Sequence, residues 1–204
     1  TQDSSSAASD VYKRQEGIVR NPVWNLSRHS AGMCLRFETD SPNIYVRYKL
    51  YSERLSMTHM PATGVSGVDL YAEDGEGISR WVNGVGAEDQ KVDKTLAQGL
   101  APGSRRYTLY FPLYNGVDKM EIGVEKGNFF NPLHPRKEKP ILFYGTSIMH
   151  GACASRPGIS FPAILGRRLG RPIINLGFDG NGIMEPEVAS LLAELDPCVF
   201  VIDC

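Results

Sequence analysis

A serine and a glycine, each placed just after an apolar run, are the residues of this sequence whose positions suggest chemistry. Ser147 follows the run ILFYGT at 141–146, and Gly180 follows the run IINLGFD at 173–179. A hydroxyl at the end of a buried strand can act as a nucleophile, and a bare backbone N–H nearby can stabilise a developing oxyanion. The pair therefore predicts a site for acyl transfer.

The residues around Ser147 exclude three common loop motifs. Met149 stands where the nucleophile elbow of the α/β-hydrolases has its second glycine. No Gly-Lys-Ser/Thr sequence follows, which excludes a phosphate-binding loop, and the Gly-x-Gly-x-x-Gly dinucleotide fingerprint is missing after both apolar runs. Since Gly and Ser are also ordinary turn residues, a purely structural turn at Ser147 stays open on spacing alone.

The C-terminal part of the chain predicts the elements that must position these groups. The run at 141–144 is apolar on both faces, as a strand covered by helices on both sides is, and the runs at 173–176 and 198–203 predict two further strands. Helices are predicted between them, one capped by Ser160 and one beginning at Pro186. The first has an apolar stripe of Phe161, Ile164, Leu165 and Leu169, and the second one of Val188, Leu191, Leu192 and Leu195. This order is the start of a doubly wound, flavodoxin-like α/β sheet, whose catalytic groups gather at the carboxyl edge.

The part of the chain before the proline-rich segment NPLHPRKEKP at 131–140 predicts a different architecture. Residues 44–50 alternate between apolar and polar side chains, as half-buried antiparallel strands do, and Gly- and Pro-containing turns separate several such runs. This pattern predicts an all-β sandwich of jelly-roll type. The predicted division is a disordered or non-native leader at 1–15, an accessory sandwich at 16–135 and the α/β part at 136–204.

Composition excludes several classes of function. The chain has 204 residues and a formal net charge of -1, so it carries no basic footprint for nucleic acid. No apolar run approaches the roughly 18 residues that span a bilayer, and the leader lacks the apolar segment of a signal peptide. The four cysteines show no metal-binding spacing, so we expect no metal and no cofactor, while thiols and disulfides both remain possible.

Three motifs give the chain a resemblance to a known family. The sequences GTSI at 145–148 and NLGFDGNG at 175–182 resemble the first two blocks of the SGNH (GDSL-type) hydrolases. Thr146 departs from the Asp of the name-giving motif, as it does in one branch of the family. That branch often carries a β-sandwich with a Gly-x-Asp-Leu-Tyr signature, to which GVDLY at 67–71 is similar, and GACASRPG at 151–158 resembles it as well.

The resemblance implies a serine esterase that hydrolyses small acyl esters, such as acetyl groups on carbohydrates, through an acyl-enzyme. It assigns Ser147 as the nucleophile and the backbone N–H groups of Ser147 and Gly180 as two of three oxyanion donors. The third donor, an Asn, and the family's Asp-x-x-His would follow Cys204, so we expect a fragment with little activity of its own. The resemblance also implies a bacterial, secreted or periplasmic setting. The alternative is a carbohydrate-binding sandwich joined to a relic α/β domain.

Several further residues receive expectations from the sequence. Four are expected to line the pocket around Ser147, namely Thr146, His150, Asn181 and Arg156. His150, three residues after Ser147, is a general-base candidate or a residue at the mouth of the pocket. Arg156 either steers an acidic group or pairs with a surface carboxylate. Trp24 and Trp81 are predicted to pack in the sandwich core, with stacking on sugar rings as the alternative. Asp69 is predicted to form a turn or a hydrogen bond between domains.

Overall fold

The computed structural model describes residues 16–204, so the predicted leader at 1–15 lies outside the described residues. From residue 16 to the proline-rich segment, the described chain contains two short helices and eight strands. The helices are α1 (Asn21–Ser27) and α2 (Ala62–Val65). The strands are β1 (Cys34–Thr39), β2 (Ile44–Leu50), β3 (Val68–Glu73), β4 (Ser79–Val85), β5 (Lys91–Ala97), β6 (Arg105–Tyr110), β7 (Val117–Val124) and β8 (Phe130–Pro132).

These strands form two antiparallel sheets, in the orders β4-β3-β6-β1-β8 and β5-β2-β7. The inner faces enclose one core, to which Phe37, Leu70 and Leu109 contribute from the larger sheet and Val46 from the smaller one. Strand β2 shows the predicted alternation, since every second residue from Ile44 to Leu50 is buried. The predicted sandwich is confirmed.

The second half is a parallel sheet with interleaved helices. Its elements are β9 (Ile141–Gly145), α3 (Ser147–His150), α4 (Phe161–Arg168), β10 (Ile173–Gly177), α5 (Pro186–Leu192) and β11 (Val199–Asp203). The sheet order is β10-β9-β11, so the first strand lies in the centre, and all of its residues are buried. Parallel neighbours need a crossover connection, usually a helix, and helices lie between these strands in the chain. The predicted first part of a doubly wound α/β sheet is therefore confirmed.

Helix α1 is an element that the sequence pattern did not predict. Val19 and Val23 pack with Leu142 and Tyr144 of β9, so this upstream segment completes the core of the parallel sheet. Trp24 packs against the same cluster, which makes it a packing residue as predicted but in a different core. At seven residues the helix is too short to form alone, and its burial against β9 stabilises it.

Helix α4 packs on two sides. Phe161 and Leu165 of the predicted stripe pack against the core of the parallel sheet, where the ring of Phe161 lies 5.3 Å from that of Phe143. Pro162, Ala163 and Gly166 are buried, whereas Leu169 lies past the end of the helix and is 59% exposed. Ala163 packs against Tyr71 and Tyr110 of the sandwich, so the helix lies between the two sheets. Gly166 lies against β10 instead, where a Cβ atom would overlap the side chain of Ile173.

Three properties of the described residues bear on function. No helix in 16–204 has the length and apolar character needed to cross a membrane. In the same range no cluster of three or more His, Cys, Asp or Glu side chains could hold a metal ion. Within the same residues, Cys153, Cys198 and Cys204 form no disulfide.

Candidate active site

The three parallel strands end at one rim of the sheet. Gly145 of β9 pairs with Gly177 of β10 on one side and with Asp203 of β11 on the other. The N–H of Phe178 donates to the carbonyl of Gly145 at 2.8 Å, and the N–H of Thr146 donates to the carbonyl of Asp203 at 3.2 Å. The loops that carry Ser147 and Gly180 therefore leave the sheet side by side.

Two glycines allow this close approach of the loops. Gly145 has φ +155°, and a Cβ atom there would overlap the carbonyl oxygen of Asp203. A Cβ atom on Gly182 would overlap the carbonyl oxygen of Gly145. Since any side chain at either position would push backbone against backbone, glycine is required to bring the two loops together.

Ser147 and Gly180 lie in segments that touch. Ser147 is the first residue of α3 and is half-buried, and α3 contacts the 3₁₀ turn at Asp179–Asn181. Gly180 is exposed, and a Cβ atom there would meet nothing within 4 Å. Within residues 16–204, neither the N–H of Ser147 nor that of Gly180 donates to a protein acceptor, and the Ser147 hydroxyl has no hydrogen-bond partner. Both amides are available to a bound group.

Thr146 and Asn181 flank these two residues. Thr146 is half-buried and immediately precedes α3, where its side chain makes no capping hydrogen bond. The Oδ1 atom of Asn181 accepts a hydrogen bond of 3.1 Å from Nη1 of Arg20, whose Nε also binds Glu185. Arg20 thus ties the turn at Gly180 to the segment before α1. No local pattern indicated this contact, because the two residues are 161 positions apart.

His150 does not line the mouth of a pocket, which corrects the prediction. Its side chain is 1% exposed, its Nε2 atom lies 2.6 Å from the carbonyl oxygen of Leu113, and its ring stacks on Tyr114 at 4.1 Å. Gly177 also packs directly against its backbone. Because a carbonyl oxygen only accepts, Nε2 carries the proton, and no hydrogen bond joins His150 to Ser147 in the described chain. The geometry does not support His150 as a general base.

The aromatic rings of His29, Tyr114 and His150 form a cluster that no sequence pattern predicted. The ring of His29 lies 5.4 Å from that of His150 and 6.0 Å from that of Tyr114. The hydroxyl of Tyr114 donates a long hydrogen bond of 3.5 Å to Asp179, which has φ +49° and directly precedes Gly180. The sandwich loop therefore supports the turn that carries Gly180.

Burial keeps both imidazoles of this cluster neutral. It lowers the pKa of His29 to about 3, with the charge of His150 adding to the effect and Asp179 opposing it. Burial lowers the pKa of His150 to about 4, against the opposing hydrogen bond to Leu113. Since an unfolded imidazole has a pKa near 6.5, the stabilisation from these groups is complete above that pH and is lost as pH falls toward 4 and 3.

We therefore expect acid to destabilise the protein through His150. In His150→Asn, the loss of stability between pH 6.5 and pH 4 should be smaller than in the wild type by about 2–4 kcal/mol. The measurement is urea unfolding at a series of pH values. The control is His134→Asn, since His134 is exposed in the proline-rich segment at 131–140. Equal pH slopes for both variants would contradict the neutral, buried state of His150.

Arg156 is engaged with the sandwich, which corrects its assignment to the pocket. Its Nε atom lies 3.2 Å from Oδ2 of Asp69, and its guanidinium carbon lies 4.7 Å from the ring centroid of Trp81. Asp69 is fully buried, so the carboxylate needs a positive partner, and Arg156 supplies it. Trp81 is 51% exposed, so its predicted place in the core is wrong.

Asp69 of the Gly-x-Asp-Leu-Tyr signature connects the two halves of the chain, as predicted. Its Oδ2 accepts from the N–H of Gly158 at 2.9 Å, and its Oδ1 accepts from Nε1 of Trp81 at 2.8 Å. Burial raises the pKa of Asp69, while these donors and Arg156 oppose the shift. The signature thus anchors the loop at 151–158, which follows α3.

The largest cavity described lies away from Ser147. Its volume is about 550 Å³, and it is lined on one side by β10 at Asn175 and Leu176 and on the other by the segment after α1. Neither Ser147 nor Gly180 lines it. The rim is an open surface instead, with exposed Ile148 next to Ser147 and exposed Ile183 in the following loop.

Comparison with family models identifies both halves of the chain. Residues 6–130 match a model described as the GxDLY N-terminus of SGNH hydrolase-type esterases. Residues 138–204 match the model of a GDSL-like lipase/acylhydrolase family. No curated protein matches the chain.

Solved structures share the fold over most of the chain. A candidate GDSL-like lipase from Bacteroides ovatus ATCC 8483 is 32% identical with a TM-score of 0.89, over 94% of this chain and 56% of that protein. A salicylyl-acyltransferase from a tetracycline biosynthetic pathway is 19% identical with a TM-score of 0.71, over 93% and 51%. A family two carbohydrate esterase from Clostridium thermocellum, in complex with cellohexaose, is 15% identical with a TM-score of 0.57, over 85% and 59%. The chain thus spans little more than half the length of these proteins.

Proposed function

Because the chain belongs to the SGNH (GDSL-type) hydrolases that carry a GxDLY N-terminal domain, we propose that Ser147 is the nucleophile of a carboxylic ester hydrolase. The observation that carries the proposal is the meeting of two loops at one sheet rim. One loop presents the half-buried Ser147 hydroxyl, and the other presents the exposed Gly180. The backbone N–H groups of both residues have no acceptor within 16–204.

The proposed reaction proceeds in two steps through an acyl-enzyme. The Ser147 oxygen attacks the ester carbonyl and loses its proton to a base, and the alcohol leaves with a proton while the acyl group stays on the serine. Water then attacks the acyl-enzyme and releases the acid. In both steps the N–H groups of Ser147 and Gly180 donate to the oxyanion, which bears most charge in the transition state.

We propose small acyl groups on saccharides as the substrate class. Exposed Ile148 and Ile183, at 63% and 59%, give the segments beside Ser147 and Gly180 apolar surface that suits a short acyl chain. The saccharide part of the proposal draws on the carbohydrate esterases that share this fold. Thr146 and Asn181 flank the site and are proposed to line it. An alcohol series on a fixed acetyl group, compared by kcat/KM, tests this specificity.

The 204-residue chain alone is expected to turn over esters slowly. Triad-type catalysis needs a base within hydrogen-bond reach of the nucleophile. His150 is buried without a bond to Ser147, and His29 packs behind it. Neither His59 nor His134 forms a hydrogen bond with Ser147 in the described chain. Robust, Ser147-dependent turnover by this chain would show that the base lies within it.

Removing the N–H of Gly180 tests the oxyanion assignment. We expect Gly180→Pro, in the longest gene product that contains this chain, to lower kcat for an aryl acetate about 10²–10³-fold. The matched control is Gly180→Ala, which keeps the N–H and places its Cβ in open space, so its kcat should stay within a few-fold of wild type. Thermal unfolding of both variants shows whether the turn persists, since proline restricts the preceding Asp179. A Gly180→Pro variant that folds and retains wild-type kcat would rule out Gly180 as a donor.

A further inference from the structure

A small cavity between the sandwich and helix α4 is surrounded by arginines. Its volume is about 60 Å³. It is lined by Arg36 of β1, Arg167 of α4, and Arg136 and Arg171 from the flanking segments, together with Tyr110. Since a water molecule occupies about 30 Å³ in the liquid, the space suits one small ionic group.

Two of these arginines have buried nitrogen atoms that lack an acceptor. In the described part of the chain, neither Nε of Arg36 nor Nη1 of Arg167 has a hydrogen-bond partner. Leaving a buried, charged donor unpaired is costly, so such atoms indicate a missing acceptor. The guanidinium carbon of Arg167 lies 4.0 Å from the ring centroid of Tyr71 and 5.3 Å from that of Tyr110. This stacking fixes the plane of the guanidinium and leaves its edge to bind another group.

The positive charge around the cavity is only partly balanced. Nη2 of Arg36 lies 3.5 Å from Oε1 of Glu73. No carboxylate among residues 16–204 forms an ion pair with Arg136, Arg167 or Arg171. Arg167 acts at longer range on Asp69, but that carboxylate already pairs with Arg156. Guanidinium groups are well matched to the oxygen atoms of phosphate, sulfate and carboxylate groups.

We propose that this cavity binds one small oxyanion, either a free phosphate or sulfate ion or the same type of group on a larger molecule. The anion would accept hydrogen bonds from the unpaired nitrogen atoms and bridge Arg36 of the sandwich to Arg167 of the α/β part. It would therefore hold the two halves of the chain together. The site is separate from the rim at Ser147 and does not depend on the proposed esterase activity.

Binding is tested on the 204-residue chain with inorganic phosphate and sulfate as probes. Equilibrium dialysis with labelled phosphate should give one site per chain. At constant ionic strength, an anion concentration about ten times Kd should raise Tm by about 3–6 °C relative to chloride. Arg167→Met and Arg136→Gln should each weaken binding at least about tenfold, whereas Arg168→Gln, at the exposed next position of α4, should bind as wild type does.

The outcomes separate the proposal from unspecific salt effects. The proposal is overturned if phosphate stabilises the chain no more than chloride does. It is also overturned if Arg136→Gln binds phosphate as tightly as Arg168→Gln. Arg136 lies outside the helices and strands, before β9, so its variant tests the proposal even where Arg167→Met fails to fold. Glucose 6-phosphate and a uronic acid distinguish the two sources of the anion. Tighter binding of these than of free phosphate assigns the site to a group on a saccharide, and weaker binding assigns it to the free ion.

Discussion

Ser147→Ala is expected to lower kcat for an aryl acetate at least about 10⁴-fold in the longest gene product that contains this chain. The reason is that no other group can form the acyl-enzyme, so only the oxyanion donors and substrate binding remain. KM should change little, because the serine oxygen contributes mainly in the transition state. A fluorophosphonate probe should label the wild-type protein at Ser147 and leave the variant unlabelled.

The matched control is Ser155→Ala, because Ser155 is an exposed serine in the loop after α3. It should leave both turnover and labelling unchanged. Labelling at another serine, or activity that survives Ser147→Ala, would refute the proposed nucleophile. Absence of labelling together with saccharide binding by the isolated sandwich would favour the carbohydrate-binding module instead. Neither result bears on the proposed phosphate- or sulfate-binding cavity at Arg36 and Arg167.

Asp69→Asn is expected to cost about 2–4 kcal/mol of unfolding free energy, or roughly 5–12 °C in Tm. The carboxylate accepts from Gly158 on one oxygen and from Trp81 on the other, with Arg156 beside it. An asparagine has one acceptor oxygen, so its amide group must face at least one of these donors. Arg156 also loses its buried negative partner. Thermal and urea unfolding give the effect directly.

Asp74→Asn is the matched control for this prediction. Asp74 pairs with Arg80 at the surface, where the side chain of Arg80 is 65% exposed. Its Oδ1 atom accepts from the backbone N–H groups of Glu76 and Ile78, which an asparagine can still do. The expected loss is therefore below about 1 kcal/mol. If Asp69→Asn lowered stability no more than Asp74→Asn, the signature would not connect the two halves of the chain.

Further contacts, besides those of Asp69, join the sandwich to the α/β part. Leu113 accepts from His150, and Thr63 donates through its hydroxyl to the carbonyl of Ser155 at 2.5 Å. Sandwich loops therefore pack directly on α3 and on the loop that follows it. The division at 135 and 136 stays a prediction, and α1, which precedes the sandwich, contributes to the core of the parallel sheet.

The sequence by itself determined the sandwich, the order of parallel strands and helices, and the positions of Ser147 and Gly180 at strand ends. The strands and helices follow from apolar residues that repeat every two or about 3.6 positions. The positions of Ser147 and Gly180 follow from their place after apolar runs. Such patterns are local, and a single sequence displays them. Spacing alone did not distinguish a nucleophilic Ser147 from a serine in a structural turn. The resemblance of two separate sequence blocks to the SGNH hydrolases favoured the nucleophile.

Only the tertiary structure decided which side chains meet. It paired Asp69 with Gly158, 89 positions away, and Leu113 with His150, 37 positions away. It therefore removed Arg156 and His150 from the pocket and placed Trp81 at the surface. The physical reason is that a buried charge or imidazole takes whichever partner the packing of distant elements brings within about 3 Å, and no short stretch of sequence records that distance.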